Sequence, residues 1–484
     1  MGREEQIIQE RLRKIKELRK EGINPYPHKF EKKNNISECL KSLGKKVKTA
    51  GRLMTKRDLG KISFCNLQDS SGTIQIVFQD GETPKKVIEF FKNGFDAGDF
   101  AGVEGKIFKT KTKQISILVE KLEMLSKSIL PLPEKWHGLQ DKEERYRKRY
   151  LDLIMNPEVK KVFDKRERII DYIREALKKK GFNEVETPTL QPLYGGASAR
   201  PFITHLNALD MKLYLAISPE LYLKRLIVGG YDKIFSMSRC FRNEGIDKSH
   251  NPEFTNMEIY QSYADYNDMM NLFEEIYEYC CKKINGTTKV KFKDKIIDFK
   301  RPWKRMTMFK AIKEFAGIDV EKMSEKELKK FIDKNKIEIK HEAWGWMVQA
   351  IFEHFCENKI EQPTFILDHP LETTPLCKVH REDKFCRLIE RFEPFCMNME
   401  LGNAYSELND PILQRQLLEE QQNMLKSGDE EANPLDEDFI NAIETGMPPT
   451  GGLGMGIDRM IMLLTGQDSI RDVILFPFMK PEEK

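Results

Sequence analysis

Residues 239–263 read RCFRNEGIDKSHNPEFTNMEIYQSY, and the way this stretch doubles back decides the architecture. Strand alternation puts Arg242 and Glu244 on one face of an outgoing strand, and Glu258 and Tyr260 on one face of the returning strand. His250, Asn251 and Phe254 stand between them. An arginine can hold a carboxylate or a phosphate oxygen in its planar fork, and a phenylalanine can stack on a purine. Taken alone, the segment also fits a surface hairpin laced with ion pairs. Its short connection makes the pair antiparallel, because a parallel crossover needs about a dozen residues or more.

Two segments nearer the C-terminus extend the pattern. Residues 390–409, ERFEPFCMNMELGNAYSELN, carry Glu390, Glu393, Glu400 and Glu407. With a turn near Cys396 and Met397, Glu393 and Glu400 lie opposite each other on paired strands, where like charges destabilise unless a cation joins them. Magnesium on a nucleotide's phosphates, bound by one or two carboxylates, meets that need. Asn403, Tyr405 and Glu407 alternate onto one face, whereas Glu400 has the opposite parity. A bulge near Gly402 is therefore required if all four serve one pocket. A plain run of surface glutamates is the alternative. Residues 450–460, TGGLGMGIDRM, lack the third glycine of a dinucleotide loop and do not open a βαβ unit. A glycine-rich strand running into a helix, with Arg459 in the first turn, instead suits contact with a terminal phosphate.

In the other direction, residues 159–180 read as a helix with Val162, Phe163, Ile169, Ile170, Ile173 and Leu177 on one stripe, stopped at Gly181. Strands are expected around 183–187, 213–218, 234–242, 254–263, 362–368, 386–395 and 400–408, with a helical insertion near 319–360. Their spacing favours an antiparallel sheet flanked by helices over 157–484, an α+β arrangement. Residues 46–128 differ. VKTAGRLMT, ISFCNLQ, TIQIVFQ, DFAGVEGKIF and ISILVEKL are five short β runs, with a helical PKKVIEFFKN after the third. That order reads as a small all-β barrel of the OB type. Before it, residues 1–45 form an arm whose 4–21 stretch is an amphipathic helix. After it, Pro131 and Pro133 open a polar linker spanning 129–156.

A length of 484 residues suits two or three domains. Hydrophobic residues make up 40%, and no apolar run approaches the roughly 20 residues of a membrane helix, so no membrane partner is expected. The opening MGREEQIIQE reads as neither a secretion signal nor a myristoylation site, and a cytoplasmic location is expected. A net charge of +4 is too balanced to predict nucleic-acid binding, although residues 11–20 and 105–113 concentrate basic charge. Nine cysteines without a CxxC pair suit a reducing compartment. Cys377, His380, Cys386 and Cys396 lack the second close pair of a structural zinc site and read as ordinary side chains.

In this order the segments resemble the three signature motifs of class II aminoacyl-tRNA synthetases. The long helix leading into Gly181-Phe182 and Glu184-Val185-Glu186-Thr187-Pro188 resembles the first. Phe241-Arg242-Asn243-Glu244 with its returning strand resembles the second, and Gly454-Met455-Gly456-Ile457-Asp458-Arg459 the third. An amino-terminal OB barrel marks the subgroup that handles aspartate, asparagine and lysine. Within it, the stretches 195–202 (GGASARPF) and 217–225 (ISPELYLKR) are similar to lysyl-tRNA synthetases, whose aspartate counterparts carry glutamine where Glu220 stands. The chemistry agrees, since an aspartate pocket needs a cation whereas Glu258, Tyr260 and Glu407 suit an ammonium.

The resemblance implies a lysine–tRNA ligase, a homodimer that uses ATP and Mg2+ to convert L-lysine to lysyl-adenylate and passes it to tRNA(Lys). It implies that Gly196 and Glu220 hold the α-amino group and that Arg242 and Asn403 hold the α-carboxylate. Glu258, Tyr260 and Glu407 would take the ε-ammonium, with Tyr405 at the bottom of the pocket. Phe254 and Arg459 would sandwich adenine, Glu244, His250 and Asn251 would touch the nucleotide, and Glu393 and Glu400 would hold magnesium. Arg242 and Arg459 would carry the catalytic charge. Phe64 and Gln75 match the anticodon-reading positions of the barrel, although Phe64 by itself also fits a barrel core. Ala404 and Tyr405 depart from the glycine and phenylalanine of the bacterial pattern. Rival readings are an aspartate or asparagine enzyme, a non-catalytic RNA-binding relative, and a paralogue that lysylates protein. Glu220, Glu258 and Glu407 oppose the first, the full set of motif residues opposes the second, and the barrel opposes the third.

Overall fold

Alternate burial along five consecutive segments closes a barrel near the N-terminus. The computed structural model describes residues 2–133, 139, 141–339 and 341–482. The barrel strands are β1 (Lys46–Asp58), β2 (Ile62–Asp69), β3 (Gly72–Gln79), β4 (Phe100–Lys109) and β5 (Ile115–Ser126), in the order β1-β2-β3-β5-β4. Leu53, Cys65, Leu67, Ile76, Val103 and Ile117 point inward and are buried. The helix Lys85–Gly94 adds Phe91, stacked on Phe78 with ring centroids 4.0 Å apart. Phe64 and Gln75 sit between inward-facing neighbours and are half-buried on the outer surface, so Phe64 is not barrel core. The helix Arg3–Lys20 buries Ile15 and Leu18. Its Arg11 donates to Ser128 Oγ at 2.7 Å and to the carbonyls of Ala97 and Leu130 at 2.9 Å. These elements belong to a unit spanning Met1–Gln140.

The second unit spans Asp141–Lys484. Residues 134–138 and 140 of the expected linker, and Lys340 of the expected insertion, lie outside the described residues. The rest of the linker after 140 is folded into the second unit as the helices Lys142–Arg147 and Arg149–Met155. Buried Arg149 donates to the carbonyls of Arg471 at 2.7 Å and Leu475 at 3.0 Å and pairs with Asp152, so a polar segment is held by satisfied backbone groups.

The strands of this unit are β6 (Asn183–Glu184), β7 (Leu190–Gln191), β8 (Ile203–Leu206), β9 (Met211–Leu215), β10 (Lys233–Phe241), β11 (Glu253–Ser262), β12 (Lys289–Phe292), β13 (Lys295–Asp298), β14 (Lys304–Thr307), β15 (Thr364–Pro370), β16 (Leu388–Cys396), β17 (Met399–Glu400), β18 (Gly402–Ser406) and β19 (Thr450–Gly456). The main sheet runs β14-β15-β16-β18-β19-β11-β10-β6, with β17 on β16. It is antiparallel except at its two ends, where β14–β15 and β6–β10 pair in parallel. The helices Pro157–Lys179 and Tyr266–Asn285 cover one face with Ile169, Ile173, Leu177, Phe273 and Tyr277. Each aliphatic side chain buried there contributes roughly 1.5–3 kcal/mol. In the inserted region the helices Glu325–Asn335 and Trp344–Phe355 build a separate cluster around Leu328, Ile332, Val348 and Phe352. Among the described residues no helix is long and apolar enough to cross a membrane.

Two local expectations are corrected. β10 ends at Phe241, so Arg242 and Glu244 do not share a strand face. Arg242 N still reaches Pro252 O at 2.9 Å, but Asn243 N turns away to Arg200 O at 2.8 Å, and the chain leaves the sheet before Glu244. Glu393 and Glu400 are not directly opposite either, because Glu400 pairs with Phe395. The turn falls one residue later than expected, on Met397 and Asn398, both with positive φ (50° and 63°).

Candidate active site

The register change beside that turn builds the site. Phe395 pairs with Glu400, yet Phe392 pairs with Ala404, so the second strand holds one extra residue between these pairs. This is the bulge near Gly402 that the parity of the sequence demands. It turns Glu400 onto the face that carries Glu393, Asn403 and Tyr405. On that face lies a cavity of about 500 Å3, and every residue assigned above to lysine, nucleotide or metal lines it. Glu390 is not brought in. It accepts from Ser406 Oγ at 2.6 Å and pairs with Arg381 on the other side of the sheet.

The closed end of the cavity is acidic. Glu258 accepts from Ser218 Oγ at 2.6 Å, Asn256 Nδ2 at 3.1 Å and the Tyr260 hydroxyl at 3.2 Å. Burial, and then the charge of Glu220, push its carboxyl up to about 8. The Tyr405 hydroxyl lies 2.8 Å from both oxygens of Glu220 and donates to that carboxylate. Glu407 is fully buried, and its Oε1 has no hydrogen-bond partner among the described residues. Burial pulls Glu407 toward its neutral form, against the charge of Lys224. A buried acceptor left in this way is costly unless a donor arrives.

Two glycines make the space. Gly196 has a φ of +84°, and a Cβ there would stand 2.8 Å from Glu220 Cβ. At Gly452 a Cβ would fall 1.7 Å from Glu407 Oε1 and 2.8 Å from the Tyr260 ring. The glycine-rich strand β19 thus forms the floor against which Glu407 and Tyr260 lie.

The open end mixes arginines with carboxylates. The Arg242 guanidinium sits 5.1 Å from the centroid of Phe254, and its Nε is buried without a partner among the described residues. Arg459 donates to Glu400 O at 2.6 Å and to His250 Nε2 at 3.1 Å. His250 therefore accepts at Nε2 and donates from Nδ1 to Asp247, 2.8 Å away. Burial raises Asp247, but that ring and the Ser249 and His250 amides outweigh it and bring the carboxyl to about 2. Asn251 donates to Glu253 O at 2.6 Å and accepts from Phe478 N at 3.3 Å, so both ends of its amide brace the loop. Glu244 is exposed at the rim.

Burial raises both Glu393 and Glu400, and Glu393 further raises Glu400. Arg391 pairs with Glu393 at 2.5 Å and donates to Asn403 Oδ1 at 2.9 Å. Arg459 lies 3.5 Å from Glu400. No group of three or more possible metal ligands occurs among the described residues. Two carboxylates lining one cavity, both raised by burial, nevertheless fit magnesium, which keeps most of its coordination for water and phosphate oxygens.

Sequence reasoning gave no role to Lys224, Ser218, Asn256, Arg391 or Gly452. Lys224 carried a usable signal, since it lies one helical turn after Glu220. Arg391 carried one too, being two residues before Glu393 on one strand face, whereas Ser218 did not, because its contact with Glu258 depends on how the loop closes on the sheet.

The family described as class II tRNA synthetases (D, K and N) matches residues 141–480, and an OB-fold nucleic acid binding domain matches residues 47–125. The chain is 49% identical over 480 residues to a lysine–tRNA ligase of Methanoculleus marisnigri, covering 97% of this chain and 94% of that protein. It is 50% identical to that of Clostridium novyi, covering 98% and 94%. It is 51% identical to that of Syntrophomonas wolfei, covering 97% and 96%.

Proposed function

Because the chain belongs to the class II lysine–tRNA ligases, we propose that its acidic pocket seats the two amino groups of L-lysine while the arginine-lined mouth seats ATP. Glu220 and the backbone at Gly196 hold the α-amino group. Arg242 and Asn403 hold the α-carboxylate, and Glu258, Tyr260 and Glu407 surround the ε-ammonium. The observation that carries this reading is Glu407, buried beside Gly452 with an oxygen lacking a donor among the described residues.

The carboxylate of lysine attacks the α-phosphorus of ATP in line, and the bond to pyrophosphate breaks as the bond to lysine forms. The terminal ribose hydroxyl of tRNA(Lys) then attacks the lysyl-adenylate and releases AMP. No side chain forms a covalent bond. Arg242 orients the attacking carboxylate and offsets charge on the α-phosphate, and Arg459 does so on the outer phosphates. Phe254 and Arg459 face the two sides of adenine, while Glu244, His250 and Asn251 edge the nucleotide. Glu393 and Glu400 would hold Mg2+, which supplies positive charge to the phosphate oxygens when bound.

In the barrel, Phe64 and Gln75 form an anticodon-reading surface, supported by their position on its outer face. A homodimer is supported by the exposed Leu190, Ile203 and Leu209 around the small β7-β9-β8 sheet. A cytoplasmic location accords with nine unpaired thiols. ATP–pyrophosphate exchange run against all twenty amino acids tests the substrate. Lysine alone is expected to support exchange, and a preference for any other amino acid would overturn the pocket assignment.

A further inference from the structure

The acidic end of the cavity holds a cation of its own. Lys224 sits on the helix Glu220–Val228, fully buried, with Nζ 2.7 Å from Glu220 Oε1 and in ion-pair contact with Glu407 Oε2. Its ammonium also lies 5.6 Å from the Tyr405 ring centroid and 5.9 Å from that of Phe439. Burying an ammonium costs several kcal/mol unless paired charges offset it. Here two carboxylates do so, and both are groups that the reading above gives to the substrate.

A charge count follows. Glu220 lies on the same helix as Lys224, Glu258 and Tyr260 come from β11, Tyr405 comes from β18, and Glu407 follows it. The Cys377 thiol packs beside Glu407 and is raised well above its usual value by burial and that carboxylate, so it stays neutral. The same holds for the Tyr260 and Tyr405 hydroxyls. Arg391 is taken up by Glu393 and Asn403, and Arg242 is matched by the α-carboxylate of the substrate. With Glu258 and Glu407 ionised, as an arriving cation favours, three carboxylates and one ammonium remain among the described residues. L-lysine brings two more ammonium groups, and the count closes at zero.

We propose that Lys224 is a positioning residue that supplies the third ammonium of the lysine pocket, so that an amino acid with two amino groups completes its charge and one with a single amino group does not. The inference rests on the lysine-site reading. Through its two ion pairs Lys224 also ties Glu220 to Glu407.

Lys224→Met, assayed by pyrophosphate exchange, tests it. Losing the cation removes the charge that holds Glu407 down against burial, so the acid limb of kcat/KM for lysine should shift to higher pH by about one unit or more. KM for lysine should rise at least about tenfold near neutral pH, with KM for ATP and kcat within about twofold. A variant that only melts earlier, with the limb unmoved, would overturn the proposal. Should Lys224→Met fail to fold, the wild-type protein labelled with 15N at lysine Nζ gives a second readout. A solvent-protected signal with the shift of an ammonium, both with and without bound lysine, is expected. A neutral amine in either state would rule the proposal out. Glu407→Gln separates this from failure of the site itself. If that variant leaves KM for lysine unchanged the pocket is misassigned, whereas if it weakens lysine and Lys224→Met leaves the limb in place, only the charge count is wrong.

Discussion

At the scale of single residues, the proposed selectivity rests on groups that are already buried in the empty cavity. Replacing Glu407 with Gln removes one of the three carboxylates at the acidic end of the cavity. It should weaken lysine by about 3 kcal/mol, roughly a hundredfold in KM, with KM for ATP nearly unchanged. Gly452→Ala should do the same by a different route, since its methyl group would occupy the position of Glu407 Oε1. A structure of that variant should show the carboxylate displaced, and steady-state kinetics should show KM for lysine raised by about tenfold or more. Glu258 makes a pH prediction. Its carboxyl, at about 8 in the empty pocket, lies far above the unfolded carboxylate value near 4.3, so the folded chain holds the extra proton. The stability due to this group is full below the unfolded value and is lost as pH rises through about 8. Glu357, also raised to about 8 by burial and the neighbouring Glu353, acts in the same direction. The Tm of the lysine-free protein should therefore fall between about pH 5 and 8, and the rise in Tm on adding lysine should grow over the same interval. A Tm that climbs across that window would contradict it.

At the scale of elements, the hairpin of β16 and β17 shows what a sequence discloses and what it withholds. The parity conflict between Glu400 and Asn403 was visible in the sequence, and it correctly demanded a bulge. The side-chain alternation of Glu258 and Tyr260 was visible too. The register was not, because a strand pattern fixes which face a residue occupies and leaves its partner across the ladder to the turn. Placing the turn one residue early made Glu393 and Glu400 direct opposites. The ends of β10 were hidden for a similar reason, since Asn243 leaves the sheet to bond Arg200 from a distant segment. The turn also carries a prediction. Asn398 has a φ of 63°, a conformation glycine adopts without steric cost. Asparagine tolerates it better than alanine does, so Asn398→Ala should destabilise the chain by about 1 kcal/mol, measured as a shift in the denaturation midpoint.

At the scale of the whole molecule, the chain divides into two units, and the proposed function gives each its own task. Phe64 lies on the outer face of the first, far along the sequence from every residue of the cavity. Phe64→Ala should remove about 1–3 kcal/mol of base stacking, raising KM for tRNA while leaving pyrophosphate exchange unchanged. A parallel loss of exchange activity would show that the barrel supports the catalytic unit structurally. The architecture was the most legible level, because five short β runs with a helix after the third admit few folds. The small sheets β7-β9-β8 and β12-β13 were largely missed, being short strands of two to five residues with little pattern to read.

In the proposed lysine site, the closeness of the strand floor to Glu407 would make errors of recognition lopsided. A homologue of lysine one methylene longer would have to push its amine into a carboxylate that has nowhere to retreat. One methylene shorter, as in ornithine, would merely leave a gap, forfeiting about 1–3 kcal/mol. Cells rich in the shorter diamine acid, not the longer one, are where mistaken charging would have to be corrected after the fact.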